Sequence, residues 1–364
     1  MPESVSSWPL NLRIAMILLA LPVLLGLAGV PQAALAQPAQ GCSGAAKLDA
    51  VAMGTKVRAT ICPQRDDQAG RLQAEQAAQA VLAEIQRLEQ LWSTWIAESE
   101  ISKLNRGAGG PAMAISADSQ RLLTAALKAS KQSKGIFDIT FAPLGEVWQF
   151  DTPPGSHEPT KLKRVPTAAE IGERLLRVGY RHLQLDATKG TARLTKPGTS
   201  VHLGGIGKGA AVDSAVALLR ARGFRDFAVQ AGGDLYCAGQ NGTRPWRIGI
   251  AHPRDPGKMI GIVDIREAAF STSGDYERFA LLDGKRYHHI LDLRSGWPAM
   301  ASQSATVLAP SATAAEVLTK WAFVTGGAAG LAVLQRHAAQ GVLVDQAGKV
   351  WTSPGLLVRP AEVP

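Results

Sequence analysis

Residues 201–234 read VHLGGIGKGAAVDSAVALLRARGFRDFAVQAGGD, and this order of residue types predicts a strand, a glycine loop, a helix and a second strand in one unit. Gly204, Gly205, Gly207 and Gly209 strip side chains from the loop, so a ligand can approach the backbone. The helix that follows would offer unpaired N–H groups and the positive end of its dipole. Such a loop suits a phosphate. Lys208 adds a cation inside it, and Gly232-Gly233-Asp234 forms a second glycine turn at the end of the next strand. Taken alone, residues 205–210 fit the loose GxGxxG/A pattern of a Rossmann-type dinucleotide oxidoreductase, with Asp234 as the ribose ligand. Two features weigh against that reading: the unit lies late in the chain, and no series of βαβ units follows it. A Walker-type loop fails because Gly209, and not Ser or Thr, follows Lys208.

The chain of 364 residues, 46% hydrophobic, is long enough for a large core. At its start stand Arg13, an apolar run over 14–30 interrupted by Pro22, and Ala34-Leu35-Ala36. This predicts a signal peptide over 1–36, cleaved after Ala36, with export to the periplasm and no stable membrane span in the mature protein. Cys42 lacks the apolar residue upstream that lipidation requires. The net charge of +9 is dispersed. Its densest cluster, Lys161, Lys163 and Arg164, has no interleaved aromatics, so solubility and anionic ligands explain the charge better than nucleic acid does. Cys42, Cys62 and Cys237 form no CxxC pair, which argues against zinc; Cys42 and Cys62 could pair in an oxidising compartment.

Periodicity divides the remainder. A polar spacer covers 37–46, and 48–61 alternates around Met53-Gly54-Thr55 as a strand hairpin. Helices are predicted over 72–92, 117–134 and 314–325, with a short helical piece between the first two. Thr167 and Glu170 form a capping box. Strands are expected over 182–186, 192–195, 247–250, 261–265 and 342–344, the last leading to Val350 and Trp351. Residues 151–166 read as an exposed insertion. The mixture favours an α+β fold with mixed sheets and flanking helices over a doubly wound parallel sheet.

Seven motifs in a fixed order extend the reading. They are Ala52-Met53-Gly54-Thr55, STWIAESEISKLN (93–105), GIFDIT (135–140) with Pro143-Leu144, LGGIGKGAAVDSAV with AGGDL, STSGDYERF (271–279), DGKRYHHILDLRSGWPA (283–299) and SATVLAP (304–310). In these motifs the chain resembles the ApbE family of exported flavin transferases, which move FMN from FAD onto a threonine of an acceptor protein and release AMP. The resemblance implies an ApbE-like two-subdomain arrangement over 47–355, with a tail over 356–364. It implies FAD contacts at Met53, Trp95, Ile136, Phe137, Asp138, His202 and Ile290, with Lys208 beside the diphosphate and His289 handling a proton. Core packing explains Phe137 equally well.

The family's magnesium would draw on a carbonyl of the glycine loop, at Gly205, and on an Asp and a Thr spaced i and i+4 on the C-terminal helix, which here are Glu316 and Lys320. A protonated lysine cannot ligate a metal. The family's Asp before LGG is here His202. These departures predict that Lys320, together with a charged His202, takes the place of the cation, so that FAD binds without magnesium or with altered catalysis. The competing explanation makes Thr313-Ala314-Ala315-Glu316 a capping box and Glu316–Lys320 an ordinary i,i+4 ion pair; Thr319, one position away, offers an alternative hydroxyl. Ser271, Thr272, Ser273 and Asp275 could hold a phosphate or an acceptor loop. No sequence of the type Asp-Gly-x-x-Ser/Thr-Gly-Ala-Thr occurs, so the acceptor is another protein. The alternative functions are a non-catalytic FAD-binding carrier and the Rossmann oxidoreductase.

Overall fold

Alternating apolar residues from Ala46 to Ile61 form a hairpin, β1 (Ala46–Ala52) and β2 (Thr55–Ile61), in a computed structural model that describes residues 41–150, 162 and 164–360. Its turn is Met53-Gly54, both at positive φ. This hairpin opens an eight-stranded sheet completed by β3 (Phe227–Ala231), β4 (Asp234–Ala238), β5 (Glu267–Gly274), β6 (Ser302–Ala309), β7 (Gln340–Asp345) and β8 (Val350–Thr352). The strands lie side by side in chain order, and every pairing is antiparallel. A Rossmann fold requires parallel strands joined by crossovers, so the dinucleotide reading is excluded.

Helices occupy the connections between strands. Between β2 and β3 run α1 (Gln68–Trp92), α2 (Glu100–Arg106), α3 (Ala117–Gln132), α4 (Ala168–Leu175) and α5 (Gly207–Ala221); α6 (Ala312–Thr325) and α7 (Gly327–Arg336) join β6 to β7. The capping box at Thr167 and Glu170 starts α4. The apolar stripe of α1, including Val81, Ile85 and Leu88, is fully buried and packs with α5 and α6 against one face of the sheet. On the other face, the hairpin Trp246–Ala251 and Met259–Ile265 packs over Leu235, Cys237 and Phe270. Because β4 is covered on both sides, all five of its residues are buried. A satellite cluster gathers Leu144, Trp148 and Ile171 around Trp297 and Tyr287.

The described residues belong to one compact unit. Cys42 and Cys62 are joined by a disulfide, and Cys237 is a buried free thiol. The expected leader over 1–36 and most of the expected insertion over 151–166 lie outside the described residues.

Three local expectations are corrected. Residues 201–203 form no strand; Val201 is held through hydrogen bonds in both directions with Asn105, and the His202 N–H donates to Ile139 O at 2.8 Å. Gly326 and Gly327 do not end the helical region, since α7 begins at once after a turn at positive φ. The helix α6 starts at Ala312 with Ser311 as its N-cap, so Thr313 and Glu316 form no capping box.

Candidate active site

The glycine loop meets the middle of the sheet where α5 crosses α6. A Cβ at Gly209 would lie 2.4 Å from the Ala312 carbonyl oxygen, so glycine is what lets the two helices touch. Asp213 on α5 then accepts hydrogen bonds from the Ala312 and Thr313 N–H groups at 2.7 and 2.9 Å and from the Thr313 hydroxyl at 2.5 Å, which fixes the start of α6. In return Glu316 reaches from α6 to α5. Its Oε2 accepts from the Gly209 N–H at 2.7 Å, a carboxylate at the positive end of a helix that has no side-chain cap of its own.

This arrangement changes the reading of the loop. The Gly207 N–H donates to Leu203 O at 2.7 Å, the Gly204 N–H to His202 Nδ1 at 3.0 Å, and the Gly209 N–H to Glu316. Three of the backbone donors expected to face a phosphate are therefore used within the protein.

Four charged side chains lie beneath the loop. Glu316 is fully buried and Asp234 is 2% exposed. Lys208 Nζ donates to Glu316 Oε1 and to Gly204 O at 3.2 Å, and it lies 3.2 Å from Asp234 Oδ2. Asp234 Oδ1 accepts from Ser271 Oγ at 2.5 Å. Lys320 Nζ stands 3.8 Å from Glu316 Oε1. The expected i,i+4 pair thus exists, buried and not on the surface. Burial works against the charge of Lys208, but Glu316 and Asp234 more than offset it and hold the ammonium well above the usual lysine range. Burial and Asp234 push the Glu316 carboxyl up, and Lys208 and Lys320 pull it back. Its two oxygens accept from the Lys208 ammonium and the Gly209 N–H, and Lys320 stands close by. Burial lowers Lys320, opposed by Glu316 and Asp234.

Phe137 and Met53 complete the wall. The position of a Cβ on Gly205 lies 3.2 Å from the Phe137 ring and 4.0 Å from Lys320 Cε, and a Cβ on Gly207 would lie 3.8 Å from Met53 Cε. The alternative hydroxyl on Thr319 is committed: it donates to Glu316 O at 2.8 Å and accepts from Ser273 Oγ at 2.9 Å. Thr272 pairs with Thr306, and Asp275 forms a two-pronged ion pair with Arg254 at 2.6 Å.

The histidines differ in their surroundings. Burial, with the charges of Arg278 and Lys208, lowers His202 to about 4. It is neutral at pH 7, which corrects the expectation of a second positive charge there; its Nδ1 is occupied as an acceptor for Gly204. His288 is pinned by Ala299 O at 2.8 Å and the Ile290 N–H at 3.3 Å. His289 is different: its Nδ1 lies 3.2 Å from Arg278 O, so this nitrogen carries the proton and Nε2 keeps its lone pair. Burial, then the charges of His288, Arg278 and Lys320, lowers it to about 3.

The contacts do not draw every predicted residue into this cluster. Trp95 is 89% exposed on the turn ahead of α2. Asp138 is turned inward, accepting from the Thr140 N–H at 2.8 Å and the Tyr180 N–H at 2.5 Å, and burial raises its carboxyl. Ile290 packs in the main core. Ile136 lines a cavity of about 770 Å³ together with Trp321, Thr325 and His337, which contains none of the four charged groups. Two residues escaped the sequence reading: Asp234 as a partner of Lys208, and Arg278, whose charge acts on both His202 and His289. Asp234 had a signal, as the acidic residue ending a glycine turn.

Comparison with known proteins gives one consistent result. The sequence profile of the ApbE family matches residues 53–344. An FAD:protein FMN transferase of Klebsiella pneumoniae is 32% identical over 314 residues, covering 85% of this chain and 84% of the relative; one of Salmonella typhimurium is 29% identical, covering 91% and 93%. Among solved structures, the ApbE protein of Thermotoga maritima superposes with a TM-score of 0.75 at 31% identity over 85% of this chain and 97% of that one. The flavin transferase ApbE of Vibrio cholerae gives 0.73 at 26% identity over 86% and 99%.

Proposed function

The chain belongs to the ApbE family and is an FAD:protein FMN transferase, and from that premise we propose that it moves FMN from FAD onto a threonine of a separate acceptor protein, with His289 as the general base. The observation that carries this reading is an imidazole whose Nδ1 is held at the Arg278 carbonyl, so that Nε2 keeps its lone pair, with burial and then His288, Arg278 and Lys320 holding it neutral. In the transfer the threonine Oγ forms a bond to the FMN phosphorus and its proton passes to His289. The bridging P–O bond breaks, and its electron pair leaves with AMP. Lys208 fixes the loop by tying Gly204, Asp234 and Glu316 together, while Met53 and Phe137 give the wall an apolar surface suited to the flavin side.

The N-terminal apolar run and the Cys42–Cys62 disulfide both support export to an oxidising compartment such as the periplasm. Among the described residues, no helix is long and apolar enough to cross a membrane.

The test is incubation of the mature protein with FAD and an acceptor bearing the Asp-Gly-x-x-Ser/Thr-Gly-Ala-Thr sequence, read by in-gel flavin fluorescence and AMP release. Fluorescent acceptor with equimolar AMP is expected. FAD binding without either product would sink the transferase reading and leave a non-catalytic flavin carrier.

A further inference from the structure

The charged groups beneath the glycine loop form a closed set. Each of the four carboxylate oxygens already has a partner: Glu316 Oε1 meets Lys208, Oε2 meets the Gly209 N–H, Asp234 Oδ1 meets Ser271, and Oδ2 meets Lys208. The Thr319 hydroxyl is committed to Ser273 and to the Glu316 carbonyl. Magnesium needs about six oxygen ligands in near-octahedral array at roughly 2.0–2.1 Å. Placing it here would set a divalent charge against the two lysine side chains that already share these carboxylates. Among the described residues no group of three or more His, Cys, Asp or Glu is arranged to hold a metal. The residues present do not fit the ion.

The two lysines are not equivalent. An ammonium has three protons to donate, and Lys208 directs its three at Gly204 O, Asp234 and Glu316. It has none left for a ligand. Lys320, among the described residues, has one polar contact, with Glu316 at 3.8 Å, longer than a hydrogen bond. The carboxylate therefore orients the Lys320 ammonium without taking up its protons. Its Cε lies 4.0 Å from the position a Gly205 Cβ would occupy, so the missing side chain at Gly205 leaves the ammonium open to whatever the loop holds.

We propose that Lys320 is a catalytic residue that donates to the FAD diphosphate where negative charge develops on the departing AMP, so that this chain transfers FMN without a divalent cation. The proposal rests on the transferase reading above. In the step, the threonine Oγ–P bond forms as the bridging P–O bond breaks, the threonine proton goes to His289, and the bridging oxygen leaves with the bonding pair beside the Lys320 ammonium. Aiming a fixed positive charge at the site of developing negative charge is the way buried donors accelerate such transfers.

Single-turnover AMP release, with FAD and the threonine-bearing acceptor above, is compared in EDTA and in excess MgCl2. The wild-type rate is expected to agree within about twofold between the two, and Lys320→Met to slow it by about 100-fold or more in EDTA, as loss of one such donor does. Lys320→Arg, which keeps the charge, should recover part of that loss. Abolition of wild-type release by EDTA with restoration by MgCl2 would overturn the proposal, and so would a wild-type rate in Lys320→Met. If Lys320→Met fails to fold, Lys320→Gln replaces it and the wild-type EDTA comparison stands unaided. If no AMP appears under any condition, the transferase reading fails on its own. FAD titration in EDTA then reads the Lys320 contact: about tenfold or greater weakening in the variant keeps that contact, and unchanged affinity removes it.

Discussion

His289 and His288 are adjacent in sequence and differently held, one imidazole at both nitrogens and the other at one. A base acts only while unprotonated. In the free protein His289 is lowered to about 3, so kcat/KM is expected to stay level from about pH 8 down to about pH 5. Bound FAD brings a diphosphate whose negative charge offsets Arg278 and Lys320 and raises the imidazole. The acid limb of kcat should accordingly lie at higher pH than that of kcat/KM, activity being lost as pH falls through each. His289→Ala should cut kcat by about 10²–10⁴-fold with little change in FAD affinity. A pH-rate profile and a binding titration check both, and a limb near the free-histidine value in kcat/KM would contradict the account. At this scale the sequence singled out Lys208, Glu316, Lys320 and His289 but could not say which lysine is saturated. That depends on Asp234 and on the Gly204 carbonyl, which meet only in the folded loop.

Among the elements, the crossing of α5 and α6 determines the site's geometry, and Gly209 determines the crossing. Gly209→Ala puts a methyl 2.4 Å from a backbone oxygen that has no rotamer to move. Overpacking of this kind costs about 1–3 kcal/mol or more. A lowered melting temperature, with FAD affinity reduced in parallel as α6 and its Lys320 are displaced, is the expected outcome in thermal denaturation and titration; an unchanged melting temperature would show that the helices separate freely. Helices with strong apolar stripes such as α1 were legible in the sequence. The strands β5 and β6 were not, because both faces are covered and small polar residues, Ser271, Ser273, Ser304 and Thr306, are buried in them, which erases the alternation that marks a half-exposed strand. The helix α7 was hidden by Gly326 and Gly327, which read as a stop and serve as a turn between two helices.

For the molecule as a whole, the antiparallel meander explains why a glycine loop that resembles a dinucleotide motif is not one. The loop enters α5 from irregular chain held by Asn105 and Ile139 and not from a parallel strand. The α+β class was readable from the mixture of periods, and the order of motifs carried the family. What remained unreadable was charge balance: two carboxylates and two ammoniums converge from α5, α6 and β4, elements far apart in the chain. That balance leads to the central claim, that the FAD diphosphate meets lysine where a metal would otherwise stand. Calorimetric titration of FAD into the protein, once in EDTA and once in excess MgCl2, tests it most directly. The account predicts the same dissociation constant in both; affinity about tenfold or more tighter with magnesium would contradict it.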